Sequence, residues 1–273
     1  MKRDILMCLA LLLLTITYYA YPQLRLHQFE ARNHQVIADF ETMIESYRTM
    51  HQVKLLRGHG QNTSPDYASP ENTTLSTSPR SESTSLSIPK ENENTPLSRL
   101  AMVSQQLTFS NHILRTQNQP HLADPFLYDH PSFGLQGLGL DTNVIGILNI
   151  PAIGLYTPIY LGTSMQHLHA GAAHLTHSSF PVGGEATNTV IAGHRNQTYS
   201  RVFRHLNRLQ VGDEIHVTNL LETTIYVVTE TKTITPCQTH AISKQEGREL
   251  VTLITTSRWR GTRRLVVVAE RTL

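Results

Sequence analysis

Between residues 143 and 271 the chain returns seven times to one pattern: a short run rich in Val, Ile and Thr, then a break containing Gly, Pro, Asn or Asp. The runs are "NVIGILNI" (143–150), "TPIYLG" (157–162), "NTVIAGH" (188–194), "DEIHVTN" (213–219), "TTIYVVTETKTIT" (223–235), "ELVTLITT" (249–256) and "RLVVVAER" (264–271). Each reads as a strand, because β-branched side chains suit a pleated, half-buried surface. One helical pattern interrupts them, "YSRVFRHLNRL" (199–209), with Val202, Phe203, Leu206 and Leu209 on one face. Seven or eight strands in so short a stretch predict a closed or nearly closed barrel, which leaves no unpaired edge. No internal repeat accompanies them.

The segments ahead of the barrel differ sharply. Residues 1–22 form a short basic tip, with Lys2 and Arg3, followed by the apolar run "ILMCLALLLLTITYYAYP" (5–22). That run is just long enough to cross a bilayer, and the preceding positive charges place the N-terminus in the cytoplasm. A cleaved signal peptide is the alternative. Tyr18 and Tyr19, standing before Ala20, fit interfacial anchors better than a cleavage site. The expectation is a single-pass cell-membrane protein with its folded domain on the extracytoplasmic side.

Residues 23–56 carry Phe29, Val36, Ile37, Phe40, Met43, Ile44, Tyr47 and Met50 at three- and four-residue steps, the spacing of an amphipathic helix. Residues 57–99 are rich in Ser, Thr, Asn, Pro and Glu and predict a disordered spacer, with Asn62 and Asn72 in N-x-S/T sequons. Residues 100–142 open on a second helix (100–116) and continue through "HLADPFLYDHPSF", which prolines 125 and 131 break. The barrel occupies 143–273. A formal charge of +2 gives no electrostatic case for nucleic acid. The two cysteines, Cys8 in the apolar run and Cys237 far away, do not make a disulfide framework.

Three features in the barrel carry chemistry. His194 leaves an apolar strand. Thr255, Thr256 and Ser257 end another, and Arg264 begins the next. A histidine, a nucleophile position and an arginine gathered on one rim suit acyl transfer: attack on a carbonyl, protonation of the leaving amine, and stabilisation of the oxyanion. A histidine beside a loop is more often structural, so spacing alone leaves both readings open.

The segments "IGILNIPAIGLYTPIYLGTS", "HLTHSSFPVGGEATNTVIAGHRN", "LQVGDEI" and "ELVTLITTS…RRLVVVAER" resemble the sortases, cell-surface cysteine transpeptidases, and most of all the pilin-assembling class C. The resemblance spans about residues 123–271. It implies a mostly β fold: an eight-stranded sortase-type β-barrel with short helices, here preceded by N-terminal helices and a transmembrane segment. It implies a Cys–His–Arg site without a cofactor or metal. It also implies cleavage of LPxTG-like sorting signals of surface proteins or pilins, the acyl-enzyme being resolved by a pilin lysine, a cell-wall precursor amine or water.

Carried over by position, the family's "GHR" histidine falls on His194 and the arginine opening the last strand on Arg264. The cysteine of "TLxTC" falls on Thr256, since "TLITT" occupies 252–256. Asp124, Pro125 and Phe126 resemble the class C lid, whose acidic residue pairs with the arginine and whose ring covers the nucleophile. Arg263 stands where the family often has His. A thiol with a pKa of about 8.5 is thus replaced by a far less acidic alcohol. Three rescues are conceivable: Ser257 turning inward, Cys237 reaching in from its loop, or Thr256 acting with His194 as base. Two readings follow, an impaired transpeptidase or hydrolase and a pseudo-sortase that binds sorting signals or scaffolds pilus assembly. A third class, metal binding by His167, His169, His174 and His177, lacks a carboxylate or cysteine at short range.

Overall fold

The structure is a computed structural model that describes residues 2–59, 96–116, 122–127, 135, 142–195, 200–257 and 262–272. Most of the expected spacer, with both sequons, lies outside the described residues.

Eight strands close into a barrel: β1 (Val144–Ile150), β2 (Leu155–Leu161), β3 (Ala172–His174), β4 (Thr187–Ala192), β5 (Glu214–Thr218), β6 (Thr223–Ile234), β7 (Glu249–Thr256) and β8 (Arg264–Arg271). Their order around the barrel is β1-β2-β3-β4-β7-β8-β6-β5. β2 runs parallel to β3 and β4 parallel to β7; the other neighbours are antiparallel. Closure pairs every strand on both sides, which removes the edges that seven β-branched runs would otherwise expose. β3 is the strand with no sequence signal. It is three residues long, "AAH", too short for any alternation to show.

Along β7 and β8 alternate residues face different cores. Val251 and Leu253 pack with Leu265, Val267 and Ala269 in the main core. Leu250 and Ile254 pack with Val266 and Val268 in a second cluster that also takes Leu122, Leu168, Val190 and Ala192. Both faces are therefore covered. That is why these strands read as near-continuous apolar runs rather than alternating ones.

Three α-helices among the described residues complete the fold. α1 (Lys2–His59) is one continuous helix that joins the apolar run at 5–22 to the amphipathic stretch after it. Its Ile37, Phe40 and Ile44 are buried in the main core, each contributing about 1.5–3 kcal/mol of transfer energy. Among the described residues no helix is long and apolar enough to cross a membrane. α2 (Pro96–Thr116) starts on a proline, which suits the first turn of a helix, and buries Leu100, Val103 and Leu107. Asn111 of α2 clamps the helix to the loop before β4: its Nδ2 donates to Phe180 O at 3.0 Å, and its Oδ1 accepts from Phe180 N at 2.6 Å. α3 is short, Met165–Ala170, and is capped by Ser164, whose hydroxyl accepts from His167 N.

The helix expected over 199–209 is not formed. The described part consists of turns and one 3-10 turn, Leu206–Arg208. Phe203 N donates to His194 O at 2.9 Å instead of to a helical partner, so the segment is pinned to the end of β4. Val202, Phe203, Leu206 and Leu209 are buried all the same.

Candidate functional site

β4, β7 and β8 bring His194, Thr256 and Arg264 to one rim. β7 pairs with β8 so that Thr256 is the partner of Arg264. β4 pairs with β7 in parallel, Ala192 beside Ile254, and Gly193 N extends the ladder by donating to Ile254 O at 3.2 Å. Two residues further along each strand stand His194 and Thr256. Successive side chains alternate across a strand, so His194, Thr256 and Arg264 share the face of Ala192, Ile254 and Val266.

Thr255 points the other way. It is fully buried and its hydroxyl donates to Gly193 O at 2.7 Å, which fixes it as a tie between the two strand ends. Ser257 lies at the strand exit, where its N–H donates to Arg263 O at 2.9 Å. Cys237 is an exposed free thiol in the turn after β6. Ile234 of β6 pairs with Arg264, so that turn belongs to the same rim, but no hydrogen bond among the described residues joins Cys237 to the site.

Arg264 is 2% exposed and Asp124 is 4% exposed, and they meet in a bidentate pair. Nε donates to Asp124 Oδ1 at 2.8 Å and Nη2 donates to Oδ2 at 2.5 Å. The local sequence builds this contact. Asp124-Pro125-Phe126-Leu127 is a turn closed by Leu127 N donating to Asp124 O at 3.2 Å, with proline at its second position. The turn carries Phe126 over the rim. Its ring lies 5.3 Å below the Arg264 guanidinium carbon and 5.9 Å from the His194 ring. Phe126 is thus wedged between arginine and histidine, and the arginine's charge is neutralised while the turn stays seated.

His194 is buried, and its Nε2 has no hydrogen-bond partner among the described residues. Burial, and secondarily the neighbouring His169, lowers its pKa from 6.5 to about 4. At neutral pH it is an uncharged imidazole with an open acceptor or donor position. His169 of α3 lies 5.5 Å away, ring to ring. This residue was missed as a neighbour of the site; its only sequence signal was membership of a histidine-rich stretch.

That stretch is divided among separate tasks. His167 Nδ1 meets Gly162 O at 2.9 Å and its ring stacks on Tyr160. His174 is fully buried, with Nε2 at 3.0 Å from Ser179 O and 3.1 Å from Ser178 Oγ. Among the described residues no group of three His, Cys, Asp or Glu is placed to hold a metal ion. Burial lowers the His174 pKa from 6.5 to about 4. The unfolded chain therefore takes up a proton that the folded chain refuses. Stability should be full above pH 6.5 and fall as pH drops from 6.5 toward 4. Thermal melts across that window should show the decline, and a His174→Gln variant should show a shallower one.

Gly193 sets the position of His194. A Cβ added there would lie 2.7 Å from Cδ2 of the fully buried Phe203 ring. Gly193→Ala should cost about 1–3 kcal/mol by overpacking and displace His194. Urea unfolding would measure the first effect and peptide affinity the second.

The Sortase domain family matches residues 148–272. Sortase A of Listeria monocytogenes is 33% identical over 128 residues, 46% of this chain and 56% of that protein. The crystal structure of sortase C-1 from Actinomyces oris is 30% identical with a TM-score of 0.57, covering 64% of this chain and 99% of that one. Sortase C of Streptococcus pneumoniae is 29% identical with the same TM-score of 0.57, covering 64% of this chain and 89% of that one. The chain spans about half the length of the curated relatives it matches. A closed eight-stranded barrel with a histidine and an arginine on one rim, aligned along nearly the whole of a solved sortase at this identity, settles the class. The chain belongs to the sortase family, and its fold is similar to that of pilin class C sortases.

Proposed function

We propose that this sortase is a membrane-anchored, extracytoplasmic protein that captures LPxTG-type sorting signals at the His194–Thr256–Arg264 rim and transfers their acyl group at a rate limited by Thr256. The observation that carries this reading is the seated Asp124–Arg264 pair with Phe126 between arginine and histidine. A charged arginine 2% exposed at a strand start, held by a carboxylate on a separate turn, is a group that a substrate can uncover. Thr256 Oγ1 would attack the carbonyl carbon of the signal's threonine while His194 takes the hydroxyl proton. His194 would pass that proton to the leaving glycine nitrogen, and Arg264, once released, would face the oxyanion. An ester on Thr256 would remain. An acceptor amine, from a pilin lysine or a cell-wall precursor, would attack the ester, lose its proton to His194 and restore the threonine hydroxyl; water could replace the amine. A neutral His194 is in the correct state to begin as a base.

The second reading, a pseudo-sortase that binds sorting signals without turnover, is favoured by one observation. No hydrogen bond joins Thr256 to His194 among the described residues, so the alcohol is not activated in the closed state. The anchor is supported by Leu11, Leu12, Leu13, Leu14 and Ile16, neighbours around the whole circumference of α1 and each more than half exposed. Incubating the chain with an LPxTG peptide and an amine, followed by intact mass analysis, tests the proposal. A covalent adduct on residue 256 supports transfer, one on 257 or 237 moves the nucleophile, and bound but uncleaved peptide supports the binder.

A further inference from the structure

We propose that the groove between α1 and the barrel is a subsite for the acceptor: it takes an extended, acidic peptide segment whose amine projects toward His194. This rests on the transfer reading for its role, though not for its binding chemistry. The groove has two compartments. One, of about 400 Å³, lies between α1 and the segment after His194 and is lined by Asn33, Glu30, Arg201 and Arg204 among others. The other, of about 560 Å³, lies between α1 and α3 and is lined by Arg25, Arg32 and His169. Phe29 lines both, so they adjoin at its ring. The second compartment ends at His169, whose ring is 5.5 Å from that of His194. The first is held to the site by Phe203 N donating to His194 O.

Two independent observations identify the occupant. The first is charge. Among the described residues four arginines line the groove against one carboxylate, Glu30. Arg32, Arg201 and Arg204 form no ion pair or hydrogen bond through their side chains among the described residues, so their charge is available to a ligand. The second is Asn33. It is 7% exposed, lines the first compartment, and its Oδ1 has no hydrogen-bond partner among the described residues. A buried amide oxygen left without a donor is costly, and it calls for an N–H. A peptide backbone supplies one at nearly every residue; a lipid phosphate supplies none. An acidic peptide satisfies both features at once.

The test uses the full chain and fluorescence anisotropy with two labelled probes. One is a lysine peptide flanked by Asp and Glu; the other carries Asn and Gln in their place. The acidic probe should bind at least about fivefold more tightly, and Arg32→Gln combined with Arg204→Gln should weaken it roughly tenfold. Asn33→Ala should weaken both probes alike, with an unchanged melting temperature as the check on folding. Affinity for an LPxTG peptide should stay as in the unaltered chain in every variant. Equal affinity for the two probes, or no loss in the double arginine variant, would overturn the assignment. So would capture by phosphatidylglycerol vesicles that the double variant abolishes while acidic-probe binding is unaffected, because the groove would then serve the membrane. Acidic-probe binding with no LPxTG binding would sink the donor reading alone.

Discussion

Thr256→Cys should raise cleavage of an LPxTG peptide by on the order of a hundredfold or more. The argument is about acidity and placement together. An alcohol at this position stays protonated until a base removes its proton in the transition state. A thiol, with a pKa of about 8.5, ionises far more readily, and a nearby imidazolium lowers that value further. His194 is the group placed to become that imidazolium. Burial holds it neutral at present, with its pKa lowered to about 4. A thiolate on the adjacent strand end would supply the counter-charge that it lacks, so each group would favour the ionised form of the other. The variant should therefore gain activity and raise the His194 pKa, which NMR titration of the imidazole would follow. The substitution is small and lies at a half-buried strand end, so the fold should tolerate it. Unchanged turnover with an unchanged melting curve would mean that residue 256 does not face the scissile bond.

How far the sequence reaches can be judged from particular elements. β7 and β8 were readable to the residue because β-branched runs covered on both faces leave no ambiguity about where they stop. β3 was not, since three residues without branched side chains carry no pattern. The segment 199–209 misled for a physical reason: helical spacing of apolar residues reports only that one side is buried, and here a backbone bond to His194 O wins over helix propagation. The long-range contacts were legible only through resemblance. Asp124 and Arg264 are 140 residues apart, and no local rule connects them. The approach of His169 to His194 could not be anticipated, because it depends on how the short helix α3 leans over the end of β4. The groove along α1 was equally hidden. Its apolar stripe predicted packing, while Asn33, one residue inside that stripe, gave no sign of a buried oxygen without a partner.

Asp124→Ala should lower stability by about 3 kcal/mol or more and, at the same time, tighten binding of a sorting-signal peptide severalfold. Removing one partner of a buried ion pair leaves the other charge desolvated and uncompensated. Arg264 is 2% exposed and donates hydrogen bonds to both oxygens of that carboxylate, so it has little alternative while the turn stays in place. For a domain of this size the loss corresponds to a fall in melting temperature of about 6–12 °C. The turn that carries Asp124 also carries Phe126, and without the ion pair the turn is held by that ring's contacts with Arg264, His194 and the second apolar cluster. The turn should then leave the rim for part of the time, which exposes the arginine to water and the cleft to peptide. Phe126→Ala separates the two effects. It retains the ion pair, so it should open the cleft with a smaller loss of stability. If both variants melt like the parent chain and bind the peptide no better, the Asp124–Arg264 contact is neither a structural charge pair nor a cover over the cleft.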